Sequence, residues 1–125
     1  MGHLQKVLDA YFSSWNKAFE SKNSEEIRRH MSEKFVGYWG HSGLEVPMQY
    51  GYDYDLDNVL AQYEEAQKSF EPMAIIERKP GEEFLVTGTE TNIIKGVLYR
   101  AKAMFIRRKE NEGWKLQREF IELER

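Results

Sequence analysis

GVLYRAKAMFIRRKENEGWKLQREFIEL, residues Gly96 to Leu123, decides how the rest of the chain is read. Val97, Leu98, Tyr99, Met104, Phe105 and Ile106 form a β-branched and aromatic run with polar residues interleaved, and Trp114, Leu116, Phe120, Ile121 and Leu123 form a second. Between them, Arg107 to Gly113 carries charge and ends on Asn111-Glu112-Gly113, a hairpin turn composition because Asn and Gly tolerate positive φ. Two strands of about ten residues each are long against the usual five or six, so the sheet is expected to bend.

If the hairpin is regular, Leu98, Arg100, Lys102, Met104 and Ile106 share a face with Trp114, Leu116, Arg118, Phe120 and Glu122, because side chains alternate along a strand. Arginines on such a face either pair with Glu90, Glu119 or Glu122, or point into a cavity to receive an anionic ligand. A bulge in either strand reverses the assignment beyond it.

The 125 residues fit a single domain, 1–125, large enough to bury a core. A net charge of -3 gives no general attraction to nucleic acid or anionic membranes. The basic residues from Lys95 to Arg118 are interrupted by acidic ones, so no nucleic-acid partner is expected. With no cysteine, disulfides, thiolate metal sites and a cysteine nucleophile are excluded by composition. The first residues lack the basic region and apolar run of a signal peptide, and no stretch approaches a membrane span, which makes a cytoplasmic location the expectation.

Upstream, Leu4, Val7, Leu8, Tyr11, Phe12, Trp15, Ala18 and Phe19 recur at helical spacing and predict an amphipathic helix over 4–20. Asn23-Ser24-Glu25-Glu26 predicts an N-cap opening a short second helix that runs to about Met31. Phe35 to Trp39 reads as a short strand ended by Gly40-His41-Ser42-Gly43, and Glu45 to Asp53 as a loop. From Leu56, the residues Val59, Leu60, Tyr63, Ala66 and Phe70 predict a third helix, capped by Asp53, Asp55 or Asp57 and closed by Pro72. Met73 to Glu77 and Phe84 to Asn92 read as strands around a Pro80-Gly81 turn, and Lys95-Gly96 turns the chain into the long hairpin. Three helices and a short strand, followed by four strands able to pair in sequence, make an α+β domain.

That order resembles the nuclear transport factor 2-like (NTF2-like) superfamily. The resemblance is carried by the first helix through Phe19, Asn23-Ser24-Glu25-Glu26, the strand entry Ser32-Glu33-Lys34-Phe35-Val36-Gly37-Tyr38, and Gly113-Trp114-Lys115-Leu116. It is nearest to the uncharacterised SnoaL-like or DUF4440-type members. It implies a cone: three N-terminal helices on a curved, mainly antiparallel sheet, a cavity at the wide end, and a homodimer formed through the outer face of the sheet. The superfold hosts enzymes, transport factors and scaffolds alike, so fold does not decide function.

In the isomerase branch a carboxylate near the end of the first strand takes a proton, while a tyrosine of the first helix and a protonated acid on the later sheet stabilise the enolate. Here Trp15 stands about where that tyrosine would be, and Tyr38 or its neighbour replaces the base. Indole donates one hydrogen bond and phenol is protonated at neutral pH, so both departures count against that chemistry. The dehydratase and cyclase branches use a His and Asp pair, for which His41 with Asp53 or Asp55 are the candidates. The plainer alternative makes His41 a turn residue and the aspartates helix caps.

His30 reads as a boundary residue and His3 lies at the terminus, so no metal-ligand spacing is present, and no glycine-rich phosphate loop precedes a helix. No cofactor and no metal are expected. The abundant aromatics either fill the core or wall an apolar pocket for a flat or acyl-like molecule, with Gln49 to Tyr54 as its lid. On the pocket reading the ligand meets Tyr11, Trp15, Tyr38, Trp39, Tyr52, Tyr63, Arg100 and Arg118. Three functions follow: a small-molecule-binding domain, the preferred reading; a cofactor-free cyclase, dehydratase or isomerase; and a dimeric interaction or scaffold module; the missing base favours the first and third over the second.

Overall fold

A computed structural model describes residues 2–111 and 113–124, with the side chains of Gly2 and His3 outside the description. The expectations for His3 and for Glu112 within the turn therefore lie outside the described residues. The first helix, α1 (Gly2–Ser21), buries Leu4, Leu8, Tyr11, Phe12, Trp15, Ala18 and Phe19, the stripe its spacing predicts. It stops at Lys22, whose φ of 63° is left-handed, and Lys22 N–H closes the last turn on Ala18 O at 2.7 Å. The second helix, α2 (Glu25–Arg29), is short as expected. Ser24 holds its N-cap without a side-chain bond, and Asn23 Oδ1 accepts instead from Glu25 N–H at 3.0 Å.

Six strands form one sheet: β1 (Met31–His41), β2 (Met48–Gly51), β3 (Ala66–Arg78), β4 (Glu83–Ile94), β5 (Val97–Glu110) and β6 (Gly113–Leu123), in the order β2-β1-β6-β5-β4-β3. Strands β3 to β6 make the expected antiparallel meander, β1 and β2 pair antiparallel, and β1 and β6 run parallel. The first strand is longer than Phe35 to Trp39, and part of the expected Glu45 to Asp53 loop is the edge strand β2. Lys95 and Gly96, with φ of 51° and 79°, are both left-handed, as a type I′ hairpin turn requires. At Pro80 (φ -42°, ψ 127°) and Gly81 (φ 80°, ψ 0°) the backbone has the torsions of a type II turn.

The third helix is much shorter than its spacing predicts, which leaves α1 as the only long helix among the described residues. The third, α3 (Leu56–Ala61), is capped by Asp55, which accepts from Asn58 N–H at 3.1 Å, and ends well before Pro72. Ala66 and Phe70 belong to β3. A spacing of four satisfies a helix face and also, being even, one face of a strand, so these two residues fit both. Tertiary partners settle the matter: β4 pairs from Ala66↔Ile94 to Arg78↔Glu83, and Phe70 stacks on Phe12 of α1 at 5.4 Å. Asn16 of α1 holds the Lys68 backbone extended, accepting from its N–H at 2.7 Å and donating to its carbonyl at 3.0 Å. Pro72 sits in this edge strand at the register shift before Ala74, where its missing N–H breaks no ladder bond inside the sheet.

The face assignment of the hairpin holds only in part. Ile106 pairs with Arg118 but Arg107 pairs with Leu116, so Gln117 is an extra residue in β6. Arg118, Phe120 and Glu122 share the outer face with Leu98 to Ile106, while Trp114 and Leu116 turn inward. Leu116 is fully buried, and Trp114 packs on Phe84. The inner face of the sheet, with Ala101, Ala103, Phe105, Leu116 and Ile121, meets the α1 stripe to form the core.

Candidate functional site

A pocket of about 650 Å³ opens between α1, the C-terminal end of β1, the β2–α3 segment and the inner face of β3 to β6. Its floor is built by a register coincidence. Gly37 of β1 pairs with Tyr50 of β2 on one side and with Glu119 of β6 on the other. A Cβ on Gly37 would come within 2.5 Å of the Tyr50 ring, so the glycine leaves the space through which Tyr50 crosses β1. The phenol then donates to Glu119 Oε2 at 2.5 Å.

Glu119 faces inward because it pairs with the fully buried Phe105, on the pocket side of the extra residue Gln117. Burial first, then the nearby charge of Glu90, push its carboxyl up to about 7, against the opposing pull of the Tyr50 hydrogen bond, Lys68 and Arg107. Tyr50 and Tyr54 are held protonated, both chiefly by burial and next by the Glu119 charge. Tyr11 is raised for the same two reasons.

The opposite wall carries a second polar group. Lys68 Nζ meets Glu90 Oε1 at 2.6 Å and stands 4.7 Å from the centre of the Trp15 ring, while Asn92 also donates to Glu90, at 3.2 Å. Beneath Tyr11 lies Arg107, fully buried, its guanidinium carbon 4.5 Å from the tyrosine ring centre. Burial lowers its pKa to about 10. Among the described residues, none of its three side-chain nitrogens has a hydrogen-bond partner, nor does Trp15 Nε1. The Trp15 N–H comes near enough to the Tyr11 hydroxyl to influence its ionisation without making a bond of hydrogen-bond geometry.

Of the residues singled out in the sequence, Tyr11, Trp15, Trp39 and Tyr63 line this pocket. The structure does not bring the others to it. Tyr52 sits outside, its carbonyl and ring engaged by Arg28 of α2. Tyr38, 37% exposed, pairs with Phe120 on the outer face. Arg100 is on that outer face and exposed, as is Arg118, which donates to the carbonyls of Lys34 and Gln117. His41 ends β1, where Nδ1 accepts from Gly43 N–H at 2.9 Å and the ring abuts Trp39. Asp55 is committed to its helix cap and Asp53 lies in the turn after β2. Among the described residues no hydrogen bond or ion pair joins His41 to either aspartate. Nor do three His, Asp or Glu side chains gather as a metal-ligand set among them.

Glu119, Glu90, Lys68 and Arg107 are the polar groups that sequence reasoning left outside the site. Arg107 had a legible signal, since it continues the alternation Ala101, Ala103, Phe105 along the inner face. Glu119 had none without the position of the bulge.

No protein-family model matches the chain, and no curated protein matches it. Solved structures do. An NTF-2 like protein of unknown function from Shewanella oneidensis MR-1 superposes with a TM-score of 0.69 over 95% of this chain and 95% of that one, at 11% identity. A second, from Shewanella baltica OS155, gives 0.69 over 97% and 94% at 11% identity. A ketosteroid isomerase-like protein from Erwinia carotovora atroseptica SCRI1043 gives 0.57 over 94% of each chain at 17% identity. At such identities the likeness is one of fold, and the fold of this chain is NTF2-like, with its N-terminal helices on a six-stranded, mainly antiparallel sheet.

Proposed function

We propose that the chain is a small-molecule-binding domain that takes a flat, largely apolar or aromatic molecule into the pocket above Glu119. The observation that carries this is the wall composition: Tyr11, Trp15, Phe19, Trp39, Tyr54 and Tyr63 surround a few convergent polar groups, the pattern of a small-molecule site. The test is thermal stability against a panel of flat aromatic and acyl compounds, run beside Ala101→Phe, which places a ring in the pocket from the β5 wall. Bound compounds raise the melting temperature of the parent by a few degrees, since ligand at about 100 times Kd stabilises by about 2.7 kcal/mol. Silence across the panel, or shifts that persist in Ala101→Phe, would refute the reading.

A second reading, cofactor-free proton transfer, is favoured by one feature: a pocket carboxyl with a pKa near neutrality suits a general acid or base. In that reading Glu119 takes the role considered for His41 with Asp53 or Asp55. The outer sheet face is proposed as a homodimer surface. Met104, Tyr38 and Phe120 form an apolar centre, and Arg100, Lys102 and Arg118 with Glu122 supply opposite charges that a two-fold copy can match.

A further inference from the structure

Glu119 spends one carboxylate oxygen on the protein and keeps the other for the pocket. Oε2 accepts from the Tyr50 hydroxyl at 2.5 Å, the length of an O–H···O⁻ bond to an ionised carboxylate. The phenol must donate there, because its hydrogen has no other acceptor among the described residues. Oε1 accepts no hydrogen bond among them, although Tyr11, Tyr54 and Lys68 stand close enough to share its electrostatics. Nor is it sealed in. The enclosed polar atoms without partners are Trp15 Nε1 and the Arg107 nitrogens, which have no surface to offer a ligand, whereas Glu119 lines the pocket and stays partly exposed. The other wall carboxylate, Glu90, is already served by Lys68 and Asn92.

Charge around the pocket is balanced. Lys68 and Glu90 cancel at 2.6 Å, and the Arg107 cation, set behind the Tyr11 ring, opposes the Glu119 anion. A charged ligand upsets this balance and a neutral one keeps it. We propose that the ligand is a neutral flat molecule whose inner end bears an N–H or O–H group, of indole, lactam or phenol type, and that this group donates to Glu119 Oε1. The inference rests on the pocket being a ligand site and adds the class of molecule. Gly37 gives Tyr50 its path, and Tyr50 decides which oxygen is left over. A ligand with only a carbonyl or ether oxygen there would set acceptor against acceptor.

The groups facing Glu119 are Tyr50 of β2, Tyr54 before α3, Tyr11 of α1, Lys68 of β3, Glu90 of β4 and Arg107 of β5. The three tyrosines stay protonated and Arg107 stays charged through the neutral range. His30 of α2 faces Arg107 and Tyr11 and acts alike on ligands with and without a donor. The proposed bond needs the carboxylate, so preference for a donor grows as pH rises through about 7.

The experiment uses the full chain with indole, benzofuran and chromone, measured by calorimetry at pH 5.5 and pH 8, with circular dichroism confirming the fold of each variant. Indole supplies an N–H, benzofuran is the matching bicycle without it, and chromone offers a carbonyl alone. At pH 8 indole binds about tenfold more tightly than benzofuran, the worth of one charge-assisted hydrogen bond. At pH 5.5 that advantage is largely gone. Glu119→Gln keeps an oxygen for Tyr50 and turns its amide N–H toward the pocket, so chromone then binds more tightly than indole at both pH values. If benzofuran or chromone equals indole on the parent at pH 8, or if a folded Glu119→Gln leaves the order unchanged, the inference is overturned while the pocket reading stands. If none of the three binds, the same comparison is made between donor-bearing and donor-lacking members of the wider panel, where equal binding overturns it as well. If no compound binds at all, the pocket reading falls and this inference with it.

Discussion

Because Gly37 carries no side chain, Tyr50 lies across β1 and reaches Glu119 on the far strand. Gly37→Ala puts a methyl 2.5 Å from the Tyr50 ring and 2.8 Å from Phe35. It is expected to destabilise by about 1–3 kcal/mol, as overpacking does, in urea unfolding. Stability equal to the parent would mean that the ring moves aside freely. Glu119 supplies a second prediction. Its folded pKa is raised to about 7 from 4.5, so its contribution to stability is complete below pH 4.5 and is lost as pH rises through 7. Between pH 5.5 and pH 8 that loss is about 2 kcal/mol. Glu119→Gln should lack it, so the stability difference between variant and parent widens by about that amount, read from urea melts at the two pH values. His30, whose pKa is lowered mainly by burial, works in the opposite sense in both proteins and cancels in the comparison. These two residues also mark the limit of sequence reading. Trp15 and Tyr11 announce themselves by helical spacing, whereas the inward turn of Glu119 depends on one extra residue, Gln117, whose chemistry gives no sign of a bulge.

Among the elements, residues 66–72 depart most from the helix that their spacing predicts. Local spacing there is compatible with helix, and what makes it strand lies elsewhere in the chain: twelve residues of β4 to pair with and Asn16 to hold the edge. Asn16 satisfies both backbone groups of Lys68 and so places its side chain over Trp15. Asn16→Ala removes this pairing and is expected to cost about 1–2 kcal/mol, with amide exchange at Lys68 accelerated by a comparable factor. Unchanged exchange at that amide would show that β4 alone orders the strand. The β2–α3 segment is fastened by different means. Arg28 donates to the Tyr52 and Tyr54 carbonyls, and Lys22 Nζ donates to the Leu60 and Tyr63 carbonyls at the end of α3. Two long cations thus fix the wall that carries Tyr54 and Tyr63. Neither role is visible in the sequence, where Lys22 and Arg28 are ordinary surface charges.

At the level of the whole molecule, the meander and the leading helix were legible because their signals are local: turn residues at Pro80-Gly81 and Lys95-Gly96, and one continuous stripe from Leu4 to Phe19. The parallel contact between β1 and β6 was not, because nothing near either strand encodes it. The outer face gives a test of assembly. Sedimentation equilibrium should find a dimer that Met104→Glu dissociates, since a charge there faces its own copy across the two-fold axis. A monomer at high concentration would remove the homodimer proposal. The parallel contact has a temporal side as well. Before β6 exists, β1 has the four residues of β2 to pair with, and the bonds that fix it reach far along the chain, 84 positions from Arg118 to Lys34. Tyr50 therefore leaves the ribosome 69 residues ahead of the Glu119 carboxylate that it meets, and the first strand waits, exposed, for its partner.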